Sequence, residues 1–263
     1  MSAAEKTLFV HGWAVDSASW DGHEALARGE TINIDLPGHG SASVWDKPTL
    51  SPAVGEILKS LSACPERSVR ALGWSLGALS LIAAVVEKPE KFRSLVLVGA
   101  TPCFVSKDGF PWGQSRPLVK RMVMDMKKDP CAALKRFYPL SFTNEELRER
   151  PAREFMERYK YPGPIRCDGA QPGCFPAFRY GEIAKALEAL YSADLRDRLK
   201  ELDLPVLIVH GEKDEVCPVG AGKFLADKIK GARLEIFENA GHAPHITRPE
   251  RFDTVVRDFC NAL

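Results

Sequence analysis

Short runs rich in apolar and β-branched residues recur toward both ends of the chain, at residues 7–10, 31–35, 68–72, 94–98, 205–209 and 233–237. Between most of them lie stretches of helical length and period, residues 52–62, 76–86 and 221–229, and a last one, 250–261, closes the chain. Strands alternating with helices predict an α/β fold, a mostly parallel central sheet of about six strands flanked by helices. Continuous apolar runs such as Leu95-Val96-Leu97-Val98 fit strands buried on both faces. The alternation stops at residues 102–204, where charged helical patterns mix with a Pro/Gly-rich segment, residues 161–174. This predicts a core made of residues 1–101 and 205–263, interrupted by a helical cap of residues 102–204 that roofs whatever site lies at the strand ends. Neither repeats nor low-complexity tracts interrupt this pattern.

Composition narrows the class. A chain of 263 residues with 45% hydrophobic content can bury a large core, and a formal charge of +1 gives no global reason to expect nucleic acid. The opening residues carry no long apolar run, so neither a signal nor a transit peptide is expected and the cytoplasm is the expected compartment. The most apolar stretch, residues 72–86, is bracketed by Arg70 and Glu87 and is too short to span a bilayer, so a buried helix is expected rather than a membrane anchor. Seven cysteines without a C-x-x-C pair read as reduced packing thiols, with neither zinc nor a disulfide framework.

The chemistry begins at Gly73-Trp74-Ser75-Leu76-Gly77, a G-x-S-x-G pattern between a strand and a helix. Alone it also fits a glycine-rich turn with a surface serine. In a strand–turn–helix context it lifts a nucleophilic hydroxyl clear of the sheet. A serine needs a base, usually a histidine oriented by a carboxylate. Asp214 follows one strand and His242 the next, and in a parallel sheet both loops emerge at the edge that carries Ser75. The order Ser75, Asp214, His242 matches the one that accompanies such an elbow. His245 is the rival base, and His242 is preferred because it directly follows Ala240-Gly241 at the strand exit. Glu212 and Glu215 read as solvated loop charges, His11 and His39 as turn residues bonded to backbone, and His23 and His210 as surface and strand-end residues. The oxyanion donors expected are the amide of Leu76, at the positive end of its helix, and that of Trp13, with Gly12 letting the chain turn inward.

The pieces Val10-His-Gly-Trp13, Asp35-Leu-Pro-Gly-His-Gly40, Gly73-Trp-Ser-Leu-Gly77, His210-Gly-Glu-Lys-Asp214 and Ala240-Gly-His-Ala-Pro-His245 together resemble the α/β-hydrolases over nearly the whole chain. Asp214 fits that family's spacing. More narrowly, the pairing of His-Gly-Trp with Gly-Trp-Ser-Leu-Gly, the segment Thr101-Pro-Cys-Phe104 and the His-Ala-Pro after the last strand resemble the pimeloyl-acyl carrier protein methyl ester esterases of biotin synthesis. Ala78 and His245 stand where related sequences often carry glycine and a large apolar residue, and the opening antiparallel strands usual in the superfamily are expected to be missing or vestigial. The resemblance implies a monomeric serine carboxylesterase without metal or organic cofactor, acting on an acyl group held by an acyl carrier protein.

Charge in the cap agrees with an acidic partner. From position 115 to 166 there are 13 Lys/Arg against 7 Asp/Glu, an excess that the rest of the chain offsets to reach +1. Such a field steers acidic partners, although an amphipathic cap needs no partner to explain it. Arg136, Arg150 and Arg153 are the expected carrier contacts, with Arg148 and Arg158 in reserve. Phe137 and Tyr138 are expected to line an acyl channel, with Trp13 and Trp74 flanking the serine, whereas Phe142, Phe155 and Tyr159 fit core packing as well. Two other readings stay open: a broad-specificity carboxylesterase of the same fold, and a non-catalytic ligand receptor that keeps the constellation.

Overall fold

A computed structural model of the chain describes residues 5–40, 42–159, 163–164 and 177–263. Its strands are β1 (Lys6–Val10), β2 (Glu30–Ile34), β3 (Val69–Trp74), β4 (Phe92–Val98), β5 (Gly163–Pro164), β6 (Ala177–Phe178), β7 (Val206–Gly211) and β8 (Arg233–Phe237). Six of them form one parallel sheet in the order β2-β1-β3-β4-β7-β8, while β5 and β6 form a separate pair. Strands β3 and β7 are buried along their whole length and β4 nearly so, in keeping with the apolar runs at 95–98 and 206–209, and the half-exposed β2 and β8 close the edges. The expected six-stranded α/β architecture is therefore the observed one.

β3 runs two residues further than its apolar run, because Gly73 pairs with Val10 and Trp74 with Val98. The strand thus delivers Ser75 directly at the sheet's carboxyl edge. Helix α1 (Ser51–Ser60) packs on α2 (Leu76–Glu87), which lies against β3 and β4. Apolar on nearly every face, α2 is almost wholly buried. β2 lies on one side of β1 and β3 on the other, so the loops leaving β1 and β3 flank the point where the winding of the sheet reverses.

Between β4 and β7 the chain forms α3 (Arg116–Lys128), α4 (Pro130–Phe137), α5 (Arg150–Arg158) and α6 (Tyr180–Ser192). Both α3 and α4 start on a capping side chain followed by proline: Ser115 accepts from the Leu118 amide and Asp129 from the Ala132 amide. α3 packs on α4 and α6. After β7 come α7 (Val219–Lys228), on β7 and β8, then α8 (Pro244–Thr247), which contacts α5, and α9 (Pro249–Asn261). Most of the Pro/Gly-rich segment, with Lys160, Arg166, Cys167 and Cys174, lies outside the described residues. Among the described residues no helix is long and apolar enough to cross a membrane.

Candidate active site

Ser75 has φ 54° and ψ −113°, a left-handed conformation that a residue with a Cβ rarely adopts. The turn closes because its glycines leave room. A Cβ on Gly77 would lie 2.4 Å from the Val10 carbonyl oxygen and 2.5 Å from that of His11, and one on Gly73 would lie 2.8 Å from the Ala78 nitrogen. The Ser75 amide donates to the Val98 carbonyl at 2.9 Å, which fixes the elbow to β4. Ser75 borders a cavity of only ≈10 Å³, walled by Trp13, Trp74, Phe137, Tyr138, Phe155 and His242.

His242 donates from Nδ1 to Asp214 Oδ2 at 2.7 Å. Both residues are buried, and Nε2 of His242 has no hydrogen-bond partner among the described residues. The other carboxylate oxygen of Asp214 accepts the amides of Val216 at 2.9 Å and Cys217 at 2.7 Å. His210 Nε2 lies 3.3 Å from Oδ2 and donates to the Cys217 carbonyl at 2.6 Å. Burial pushes the Asp214 carboxyl up, but the rings of His242 and His210 outweigh it and bring the pKa down to about 2. The main chain of His242 is held on both sides as well: its amide donates to the Ser141 carbonyl at 2.9 Å, and its own carbonyl accepts from Trp74 Nε1 at 3.0 Å. A Cβ on Gly99, whose φ is +52°, would fall 2.8 Å from Nδ1 of His242.

Ser75, His242, Asp214, Trp13, Trp74, Phe137 and Tyr138 are thus brought together at one edge. Leu76, at the first turn of α2, has an amide among those that a helix leaves without an intrahelical partner. The structure adds detail to these expectations and corrects one, the exposure of His23. Gly12 is not among the residues with positive φ; it is small because a Cβ there would meet the Trp74 ring at 3.0 Å. Trp13 spends its indole N–H on the Ile183 carbonyl of α6, and Trp74 spends its own on His242, so both tryptophans fasten the site as well as wall it. His23 is buried, not a surface residue, and pairs with Asp253 at 2.6 Å. His11 and His39 accept the Leu36 and Ala14 amides on Nε2. His245 packs between Trp20 and Trp74 with neither ring nitrogen bonded among the described residues. Burial, then the neighbouring His23 and His242, hold its pKa well below the usual range.

The cap arginines are not gathered in one place. Arg136 lines a second, largely apolar cavity of ≈430 Å³ between α3, α4 and the Glu215-Val216 loop, where it pairs with Asp125 at 3.1 Å. Arg150 and Arg153 are exposed on α5 and line neither this cavity nor the one at Ser75; Arg150 pairs with Glu154. Trp13 and Phe137, edge to face at 4.8 Å, border both cavities and form the partition between them. Reading the sequence missed the roles of His210 and Glu146 and left Phe155 between channel wall and core packing; the structure places it on the wall of the cavity at Ser75. Only Glu146 left a trace, a Thr143-x-x-Glu146 pattern that signals a local turn and says nothing of a contact 95 residues away.

A serine on a strained elbow, a histidine oriented by a buried carboxylate and an aromatic wall can together perform acyl transfer. The model of the alpha/beta hydrolase family matches residues 7–255. A pimeloyl-acyl carrier protein methyl ester esterase of Nitrosomonas europaea is 31% identical over 250 residues, covering 93% of this chain and 91% of that protein. One from Neisseria meningitidis is 30% identical over 259 residues, covering 98% and 93%. Among solved structures, an esterase from Exiguobacterium antarcticum superposes with a TM-score of 0.80 at 25% identity, covering 98% of this chain and 92% of that one. The enol-lactonase of Burkholderia xenovorans shares the fold, with a TM-score of 0.82 at 20% identity over 98% of this chain and 92% of that one. The chain belongs to the alpha/beta hydrolase family.

Proposed function

We propose that the protein is a serine carboxylesterase that hydrolyses the methyl ester of a pimeloyl group carried by an acyl carrier protein, in the cytoplasm, as a step of biotin synthesis. The observation that carries the reading is His242, tied through Nδ1 to buried Asp214 and with an Nε2 that is unbonded among the described residues and lies on the same cavity as Ser75. Ser75 Oγ attacks the ester carbonyl while Nε2 of His242 takes its proton. Asp214 keeps the ring oriented and stabilises the imidazolium. The amides of Trp13 and Leu76 bind the oxyanion. Collapse of the tetrahedral adduct expels methanol, which receives the proton from His242. Water, deprotonated by His242, then attacks the acyl-serine and frees the acid.

Residues 102–204 act as the cap over this chemistry. The ≈430 Å³ apolar cavity behind the Trp13–Phe137 partition offers room for an acyl chain, with Phe137 on its wall and Tyr138 on that of the small cavity at Ser75. The cap's basic residues, Arg136, Arg150 and Arg153 first among them, receive the acidic carrier. The names of the relatives from Nitrosomonas and Neisseria support this substrate, and the esterase from Exiguobacterium supports the reaction type.

Complementation of a biotin-requiring bacterial strain lacking its pimeloyl-carrier esterase tests the proposal. Rescue by the wild type and none by Ser75→Ala is the expected result. Hydrolysis of free p-nitrophenyl esters without rescue would leave a broad carboxylesterase. Failure of a fluorophosphonate to label Ser75, with no turnover of any ester, would leave a receptor.

A further inference from the structure

Glu146 is a carboxylate with no exposure to solvent, and its donors among the described residues are all neutral. Two of its bonds are local. The Glu146 amide donates to Thr143 Oγ1 at 3.1 Å, and Glu146 Oε2 accepts the Thr143 amide at 2.9 Å, the reciprocal pair of a capping box. The carboxylate is then used twice more, across the chain. The Gly241 amide donates to Oε2 at 2.9 Å, and the Thr247 hydroxyl donates to Oε1 at 2.6 Å. Those two donors lie on either side of His242, whose amide is held by Ser141 at the start of the same cap turn. Contact there is close enough to dictate sequence: a Cβ on Gly241 would come 2.7 Å from the Ser141 carbonyl oxygen and 3.0 Å from Glu146 Oε2.

Burying a carboxylate without a cation is expensive, and a capping box works as well at a solvated surface. The cost is understandable if the carboxylate does something an exposed one could not. We infer that Glu146 is a positioning residue: from within the cap it fixes the main chain around His242 so that Nε2 stays within reach of Ser75. The inference rests on the reading of His242 as the base. Asp214 orients the ring, and Glu146 with Ser141 orients the backbone that carries it. Misplacing a catalytic group by about 1 Å can cost about 100-fold in rate.

The test measures kcat and KM on p-nitrophenyl butyrate, with thermal melts, for Glu146→Ala, Glu146→Gln, Thr247→Val and His242→Ala. Glu146→Ala should lower kcat by about 10- to 100-fold with KM changed by less than about twofold. Glu146→Gln keeps an oxygen for the Gly241 amide, and Thr247 can turn its proton toward the Ala243 carbonyl 3.4 Å away, so this variant should recover to within about threefold of wild type. Thr247→Val should fall between them. Unchanged kcat in Glu146→Ala, or an equal loss in the Ala and Gln variants, would overturn positioning through hydrogen bonds. Should Glu146→Ala not fold, the remaining pair decides: Thr247→Val slower than Glu146→Gln supports the inference, and both at wild-type rate sink it. If His242→Ala keeps its turnover, the base reading itself fails. If only His242→Ala is inactive, the base stands and the role of Glu146 falls.

Discussion

The carboxyl edge of the sheet and the cap above it reach the same cavity by different routes. At the edge, each group follows a strand end closely: Ser75 after β3, Asp214 after β7, His242 after β8. Strand register sets their relative positions, since Val10 pairs with Gly73, Trp74 with Val98 and Gly211 with Phe237. In the cap, Phe137 and Tyr138 come from the end of α4, Glu146 from a one-turn helix and Phe155 from α5. Long-range bonds fasten them, such as Tyr138 hydroxyl to the Ala14 carbonyl at 2.7 Å and Tyr159 hydroxyl to Asp16 at 2.8 Å. On the proposed reading, the sheet edge presets the chemistry and the packed cap adjusts access and substrate. Fold members with different reactions can share the first and differ in the second.

The largest test of that division lies at the edge. His242→Ala should cut kcat on a small ester on the order of 10⁴-fold or more, because base, ring and carboxylate act as a unit. His245→Ala should cost less than about tenfold, since that ring lies beyond Trp74 among Trp20 and Phe252. The reverse order, read by steady-state kinetics on p-nitrophenyl butyrate, would move the base.

A smaller and more selective effect is expected from the cap surface. Arg136→Glu and Arg153→Glu together should lower kcat/KM for a carrier-linked methyl ester about 10- to 100-fold at low salt and leave a free methyl ester unchanged. The two positions separate further. Arg136 borders the ≈430 Å³ cavity and pairs with Asp125, while Arg153 is exposed on α5 away from it. Arg136→Glu alone should therefore carry most of the loss if the carrier-linked acyl group enters by that cavity. Equal losses on both substrates would show that the cap arginines do not choose the partner.

What could be read in the sequence follows the same line. The strands, their parallel order and the elbow at Ser75 were legible because each is a local pattern: an apolar run, a glycine two positions either side of a serine, an acid or histidine just past a strand. Ala240-Gly241 marked the residue that leaves the strand, and in the structure a cap turn presses against Gly241 while Nδ1 of His242 bonds Asp214. His210 was not, because a strand-end histidine is indistinguishable in sequence from one that touches a buried aspartate. Glu146 was hidden, and Phe155 left between two readings, for a related reason: amphipathic spacing and a capping box mark a helix face or a turn, never the distant loop it packs against. The tryptophans were legible as site residues but not as fasteners, since only coordinates show where an indole N–H goes.

The smallest expected effect concerns His245, and it asks whether the histidine that the chemistry does not use costs stability. The ring is buried among Trp20, Trp74 and Phe252, with its nitrogens unbonded among the described residues, and the titratable groups beside it are His23, paired with Asp253, and His242. Burial first, and those two histidines second, keep it neutral in the fold well below the pH at which it protonates in the unfolded chain. Unfolding therefore takes up a proton below about pH 6.5, so this contribution to stability is complete above that pH and is lost as the pH falls. His245→Leu removes the dependence. Urea titrations of wild type and variant should show a gap that favours the variant and widens from pH 7.5 to pH 5.5, by up to about 1.4 kcal/mol per pH unit below 6.5. Turnover of p-nitrophenyl butyrate at pH 7.5 should stay within about twofold of wild type, because neither Asp214 nor the backbone clamp on His242 is touched. A gap independent of pH would mean that the ring finds a proton-stabilising partner in the fold, and a large loss of turnover would place His245 inside the catalytic edge rather than behind it.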